Sequence, residues 1–160
     1  MPLVAGLDFG GGAVKACIAD VASGAVLSSA VQPTEVLHPA PGRTEFEPEA
    51  WWRAAAAAMR QAVAGLDGAL DDLIAVTATS LRQGFVQLDE TTELGRGVLN
   101  SDRRGEAQLA RVREALGADR LYALTGHWSA PQLTLPKLLE QQASDRSRWE
   151  RTRTVLFVHD

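Results

Sequence analysis

Leu3-Val4-Ala5-Gly6-Leu7-Asp8-Phe9-Gly10-Gly11-Gly12-Ala13-Val14-Lys15-Ala16-Cys17-Ile18-Ala19-Asp20 decides the fold. Leu3 to Phe9 is an apolar run broken only by Gly6 and Asp8, which predicts a strand buried on both faces. Three consecutive glycines then mark a tight turn, where backbone bends or approaches something closely. From Ala13 to Asp20 the pattern alternates: Val14, Ala16 and Ile18 point one way, Lys15 and Cys17 the other. Period two is a strand. Ser23-Gly24 makes a second turn and Ala25 to Val31 a third strand, so the chain opens with two hairpins and three antiparallel strands.

Working outward, residues 32–46 hold Pro33, Pro39, Pro41 and Gly42 and read as a loop. Pro48 suits a first helical turn, with Glu45, Glu47 and Glu49 near the positive end of the helix dipole. Trp52, Ala55, Met59, Ala62 and Val63 then keep the spacing of one buried helical face, and Gly65 stops it. Leu73 to Ala78 and Phe85 to Leu88 read as strands. A second helix runs through Leu109, Val112 and Leu116 to Gly117, and a third begins near Pro136. Thr154 to Val158 is a last strand, two residues before the chain stops at Asp160, which reads as a sequence cut at a strand end. Strands followed by helical units after an antiparallel opening describe an α/β domain with a mixed sheet flanked by helices.

Composition excludes several classes. With 46% hydrophobic and 22% charged residues over 160 positions, the chain can bury a core and lacks the signature of disorder. A net charge of −4 argues against nucleic acid, which needs clustered cations. Cys17 is alone, so neither an internal disulfide nor a thiolate zinc site is expected. No apolar run is long enough to span a membrane and no basic leader precedes Leu3, so a reduced, cytoplasmic setting is expected. His38, His127 and His159 lie far apart, with no metal spacing.

Three segments can carry chemistry. Asp8 at a strand end, followed by Gly10, Gly11 and Gly12 and then Lys15, offers a carboxylate for a metal ion, backbone N–H groups for anionic oxygens and a point charge. The glycines lead into a strand rather than a helix, so this is not the dinucleotide fingerprint; the plain alternative is a glycine hairpin with a solvated aspartate. Thr79-Ser80-Leu81-Arg82-Gln83-Gly84 brings a guanidinium and an amide together, donors suited to a polyhydroxylated ligand, although polar loops are common. Asp102, in Leu99-Asn100-Ser101-Asp102-Arg103-Arg104, either caps the following helix or accepts hydrogen bonds from ligand hydroxyls.

Together these segments resemble the N-terminal lobe of the FGGY carbohydrate kinases. Gly6-Leu7-Asp8-Phe9-Gly10 with Val14-Lys15 resembles the family's first phosphate motif, and Glu45-Phe46-Glu47-Pro48-Glu49-Ala50-Trp51-Trp52 the opening of its first long helix. Thr79 to Val86 through Asp89, with Asn100 to Arg103, resembles its sugar-contacting strands. Leu124-Thr125-Gly126 and Pro131 to Leu139 resemble its TG and PKL region. The resemblance spans the chain and implies one ribonuclease-H-like lobe of an actin-like ATPase fold, which uses ATP and Mg²⁺ to phosphorylate a sugar or polyol.

By this resemblance Asp8 holds Mg²⁺, Gly10 to Gly12 line the phosphate turn, and Arg82, Gln83 and Asp102 face the sugar. The Arg82-Gln83-Gly84 pattern is closer to the glycerol and autoinducer-2 kinases than to xylulokinase. The resemblance also implies that the catalytic aspartate and most adenine contacts come after residue 160. The 160-residue chain alone is therefore expected to be inactive, and a homodimer of the longer protein is compatible with it. Where the family carries hydroxyl side chains in the phosphate turn, this chain has Gly11 and Gly12. That departure keeps open a second reading, a non-catalytic sugar sensor. A ribonuclease-H-type hydrolase would need further acidic metal ligands beside Asp8 and ranks below both.

Overall fold

The computed structural model describes residues 1–66 and 70–160. Its strands are β1 (Leu3–Phe9), β2 (Ala13–Asp20), β3 (Val26–Pro33), β4 (Glu45–Phe46), β5 (Leu73–Ser80), β6 (Phe85–Asp89), β7 (Thr92–Glu93), β8 (Gly97–Val98) and β9 (Thr154–Phe157). Its helices are α1 (Pro48–Ala64), α2 (Leu109–Leu116), α3 (Ala118–Thr125), α4 (Thr134–Ser144) and α5 (Arg146–Arg151). The residues sort into two compact units. The first comprises Met1–Val36, Phe46–Leu81 and Val158–Asp160, the second Leu37–Glu45 and Arg82–Phe157.

The first unit is built on a four-stranded sheet in the order β3-β2-β1-β5. As the turns predict, β1, β2 and β3 are successively antiparallel, while β5 lies parallel to β1. In this register Asp8 sits opposite Lys15 and beside Thr79. Leu3, Ala5, Ala16, Ile18 and Ala30 form a core with Ala58 and Ala62 of α1. Methyl-sized side chains let the helix lie close to the sheet, and packing rather than propensity holds it there.

Two expectations need correction. In β1 only Leu3 and Ala5 are fully buried, so the strand is not buried on both faces; α1 covers one face and leaves the residues between half-buried. In α1 the buried residues are Trp51, Ala55, Ala58 and Ala62, whereas Trp52 is 65% exposed. The alanine run at 54–58 carries no contrast by which a period can be placed. Phe46 decides instead: its ring lies 4.4 Å from that of Trp51, centroid to centroid, and draws that tryptophan inward.

In the second unit β6 is the central strand. It pairs antiparallel with β7, β8 and β9, and β4 joins the same sheet beyond β8. The segment read as a plain loop thus contributes β4 and an isolated bridge from Leu37 to Glu45. Helix α2 follows a short 3-10 turn, Arg104–Gln108, and α4 packs on that turn. Gly105 permits the packing, because a Cβ there would lie 2.7 Å from the backbone of Pro136 and Lys137. Among the described residues no helix is long and apolar enough to cross a membrane.

The two tryptophans should separate cleanly. Trp51→Ala removes a buried ring and should cost about 3–5 kcal/mol in denaturant unfolding. Trp52→Ala should cost under about 0.5 kcal/mol. Equal losses would show that the helix face is placed wrongly.

Candidate functional site

Asp8 lies near the carboxyl end of β1, where the strand gives way to the glycine turn. Its carboxylate is 46% exposed and sits 3.7 Å from the Lys15 ammonium, itself 62% exposed. Asp8 is thus a solvated carboxylate, open to water or a metal ion. Gly10 N–H closes the turn by donating to Ala13 O at 3.0 Å. A Cβ on Gly10 would come within 3.1 Å of that same oxygen, whereas Gly11 and Gly12 are surrounded by open space. Neither Gly11 nor Gly12 has positive φ, so this backbone also admits hydroxyl side chains.

The N–H groups of Gly11 and Gly12 enter no turn or loop hydrogen bond among the described residues. They are donors in reserve, with an accessible carboxylate and an ammonium nearby. Among the described residues no cluster of three metal-ligating side chains occurs. One carboxylate still fits Mg²⁺, which usually takes one or two carboxylates and completes its octahedron with water and phosphate oxygens.

In the second unit Arg82 is exposed, and Gln83 follows in the left-handed region at φ 65°. The Gln83 side-chain carbonyl accepts from Thr134 N–H at 2.9 Å and from Thr134 Oγ1 at 2.7 Å. Its main-chain carbonyl accepts from Lys137 Nζ at 3.1 Å. Lys137 Nζ also donates to Leu99 O at 2.7 Å.

Asp102 is fully buried and its oxygens are engaged. Oδ1 accepts from Arg104 N and Nε, both at 2.9 Å. Oδ2 accepts from Thr44 N at 2.6 Å and Arg104 Nη2 at 2.9 Å. Arg104 also donates to Glu45 at 2.6 Å. Burial opposes the Asp102 charge, but the Arg104 side chain and the Thr44 and Arg104 amides outweigh it, and the carboxyl titrates below its ordinary value. Burial pushes the Lys137 ammonium down to about 8, against the upward pull of the Asp102 charge.

Arg82 and Gln83 are thus adjacent and partly open, while Asp102 is buried against Arg104 and Thr44. Sequence reasoning missed Thr134, Lys137, Arg104 and Glu45. One signal pointed to Lys137: it is one of only two lysines among 16 basic residues. A compact ammonium fits between two carbonyls where a planar guanidinium does not.

Asp102→Asn leaves buried Arg104 with Glu45 as its one remaining carboxylate partner and should cost about 3 kcal/mol, the lower end for breaking a buried pair. Because the folded chain holds the Asp102 proton less tightly than the unfolded one, this stabilisation is complete above the ordinary aspartate range of about pH 4 and is lost as pH falls through the lowered folded value. The acid limb of a stability–pH curve should therefore be flatter in the variant. An unchanged limb would show that the pair contributes nothing.

Comparison with known proteins gives the family and the fold. Residues 3–160 match the family model described as "FGGY family of carbohydrate kinases, N-terminal domain". A xylulose kinase of Streptomyces rubiginosus is 34% identical over 161 aligned positions, covering 99% of this chain and 32% of that protein. A glycerol kinase of Methylorubrum extorquens (strain PA1) is 32% identical over 117 positions, covering 72% of this chain and 23% of the relative. The chain thus spans about a third of the length of the xylulose kinase it matches. The crystal structure of xylulose kinase from Rhodospirillum rubrum superposes with a TM-score of 0.89 at 25% identity, covering 99% of this chain and 32% of that one. The fold is the actin-like ATPase, sugar-kinase type that the family resemblance implies. Matched from its third residue to its last, the chain belongs to the FGGY family of carbohydrate kinases, as an N-terminal domain.

Proposed function

We propose that the protein carrying this chain is an ATP-dependent carbohydrate kinase, and that this stretch is its sugar-binding part, inactive by itself. The observation that carries the reading is the family match over residues 3–160, which takes in both the Asp8 turn and the Arg82-Gln83 loop. Xylulose and glycerol kinases among the relatives support a sugar or polyol as substrate. A cytoplasmic setting, where ATP is abundant and Cys17 stays reduced, suits this activity.

Phosphoryl transfer is catalysed mainly by positioning and charge stabilisation. Arg82 and Gln83 orient the sugar so that one hydroxyl lies in line with the transferred phosphoryl group. The backbone donors of Gly11 and Gly12 steady phosphate oxygens, and Lys15 adds a point charge. Asp8 would hold Mg²⁺, which when bound neutralises charge on the transferred group. The acceptor for the hydroxyl proton is supplied, by the family resemblance, from sequence beyond this chain.

The second reading, a sugar sensor without turnover, is favoured by the missing hydroxyls at Gly11 and Gly12. ADP release by the longer protein, measured across pentoses, polyols and their keto forms, decides between them. Binding without ADP release would establish the sensor.

Asp8→Asn should lower turnover by at least 100-fold, of the order expected when charge stabilisation of the transition state is lost. Sugar affinity should stay within a few-fold and the fold should survive, since Asp8 is solvated. Unchanged turnover would reduce Asp8 to a hairpin residue. Arg82→Ala should weaken sugar by about 1.5–3 kcal/mol through the loss of a charged hydrogen bond, leaving the ATP KM unaltered. Equal weakening of both substrates would count against a sugar-facing Arg82.

A further inference from the structure

We propose that Gln83 is a one-way reader of its ligand: the first turn of α4 locks its amide so that only the NH₂ group is offered, and the sugar atom it meets must be a hydrogen-bond acceptor. The proposal deepens the sugar-site reading and rests on it.

Two donors converge on Gln83 Oε1, the Thr134 N–H at 2.9 Å and the Thr134 hydroxyl at 2.7 Å. A carbonyl oxygen has two lone pairs, so both are taken. The orientation is not arbitrary. A flipped amide would set NH₂ against the backbone N–H, donor against donor, and would leave the start of α4 unsatisfied, where no side chain of its own caps the helix. The other end of the amide is different. Gln83 Nε2 donates to no described residue and is not among the buried unpaired atoms, so both its hydrogens remain for a ligand.

The main chain is held as firmly. Gln83 takes a left-handed conformation that glutamine ordinarily avoids, and such strain persists only where surroundings enforce it. The enforcing group is Lys137, whose fully buried ammonium ties Gln83 O to Leu99 O. Thr134 and Lys137 stand three residues apart in α4, on one side of the helix, and clasp the glutamine at both its carbonyls. A hydroxyl meeting Gln83 must therefore turn a lone pair toward it and send its own hydrogen elsewhere. A keto oxygen meets the requirement without reorientation.

Gln83→Glu tests the idea, because it keeps an oxygen for Thr134 and replaces the donor by a second acceptor. Binding of D-xylulose and of glycerol is measured calorimetrically on the full-length protein carrying this chain, beside the KM for ATP. For whichever ligand binds the unaltered protein, Gln83→Glu should raise the Kd at least tenfold. The ATP KM should stay within twofold, and the melting temperature should hold or rise, since negative charge suits a helix N-terminus. Wild-type affinity in Gln83→Glu overturns the donor assignment. Wild-type affinity in Gln83→Ala instead overturns the sugar-site reading beneath it. Lys137→Met and Thr134→Val should each weaken sugar several-fold in the native background and add nothing in Gln83→Ala. Additive losses would show that they act on the fold alone and overturn the clasp. Thr134→Val, which keeps its shape and its N–H, decides that point if Lys137→Met does not fold.

Discussion

The buried pair of Asp102 and Arg104 is the interaction on which the second unit depends. A carboxylate at zero exposure costs several kcal/mol unless every oxygen is occupied, and Asp102 meets that demand with four hydrogen bonds. One of the four comes from Thr44, which pins a proline-rich segment that has no helix of its own. Arg104 in turn takes Glu45, so one charge pair fixes both the 3-10 turn and the approach to β4. Isolated surface pairs such as Arg146–Glu150 contribute far less, being screened by water.

From that pair the order passes to the site. Lys137 lies within the field of Asp102 and Arg104 and spans from Leu99 to Gln83. Gly105 lets the 3-10 turn and α4 touch backbone to backbone, which brings Lys137 near enough to do this. Arg82 and Gln83 are thus carried on a loop whose shape is set from behind by buried charge. Precision of this kind is what the proposed reading, a hydroxyl-rich ligand at this loop, requires.

The first unit uses the opposite economy. Between sheet and helix its core is alanine, isoleucine and leucine, with the glycine turn left open and its charges solvated. Asp8 and Lys15 face each other across a hairpin whose register is fixed by alternation, so the pair needs no buried support. The two candidate segments, one in each unit, therefore have different sensitivities, the first to loss of charge alone and the second to loss of packing.

Amino-acid order alone determined the three antiparallel strands, the long helix from Pro48, the terminal strand and the positions of Asp8, Gly10 to Gly12, Arg82 and Gln83. Each rests on local signals: period two, a proline at a helix start, glycines at a turn. Which tryptophan faces inward was not legible, because an alanine run has no phase and Phe46 sets it through space. Strands β7 and β8 have two residues each, too short to carry a period. Tertiary structure also decided the place of Asp102, which the pattern left between helix cap and ligand contact. Its fate depends on Thr44, 58 positions away, and on an arginine two residues on that folds back over it. Which charges end up buried is set by partners distant in the chain, and local sequence records no such distances.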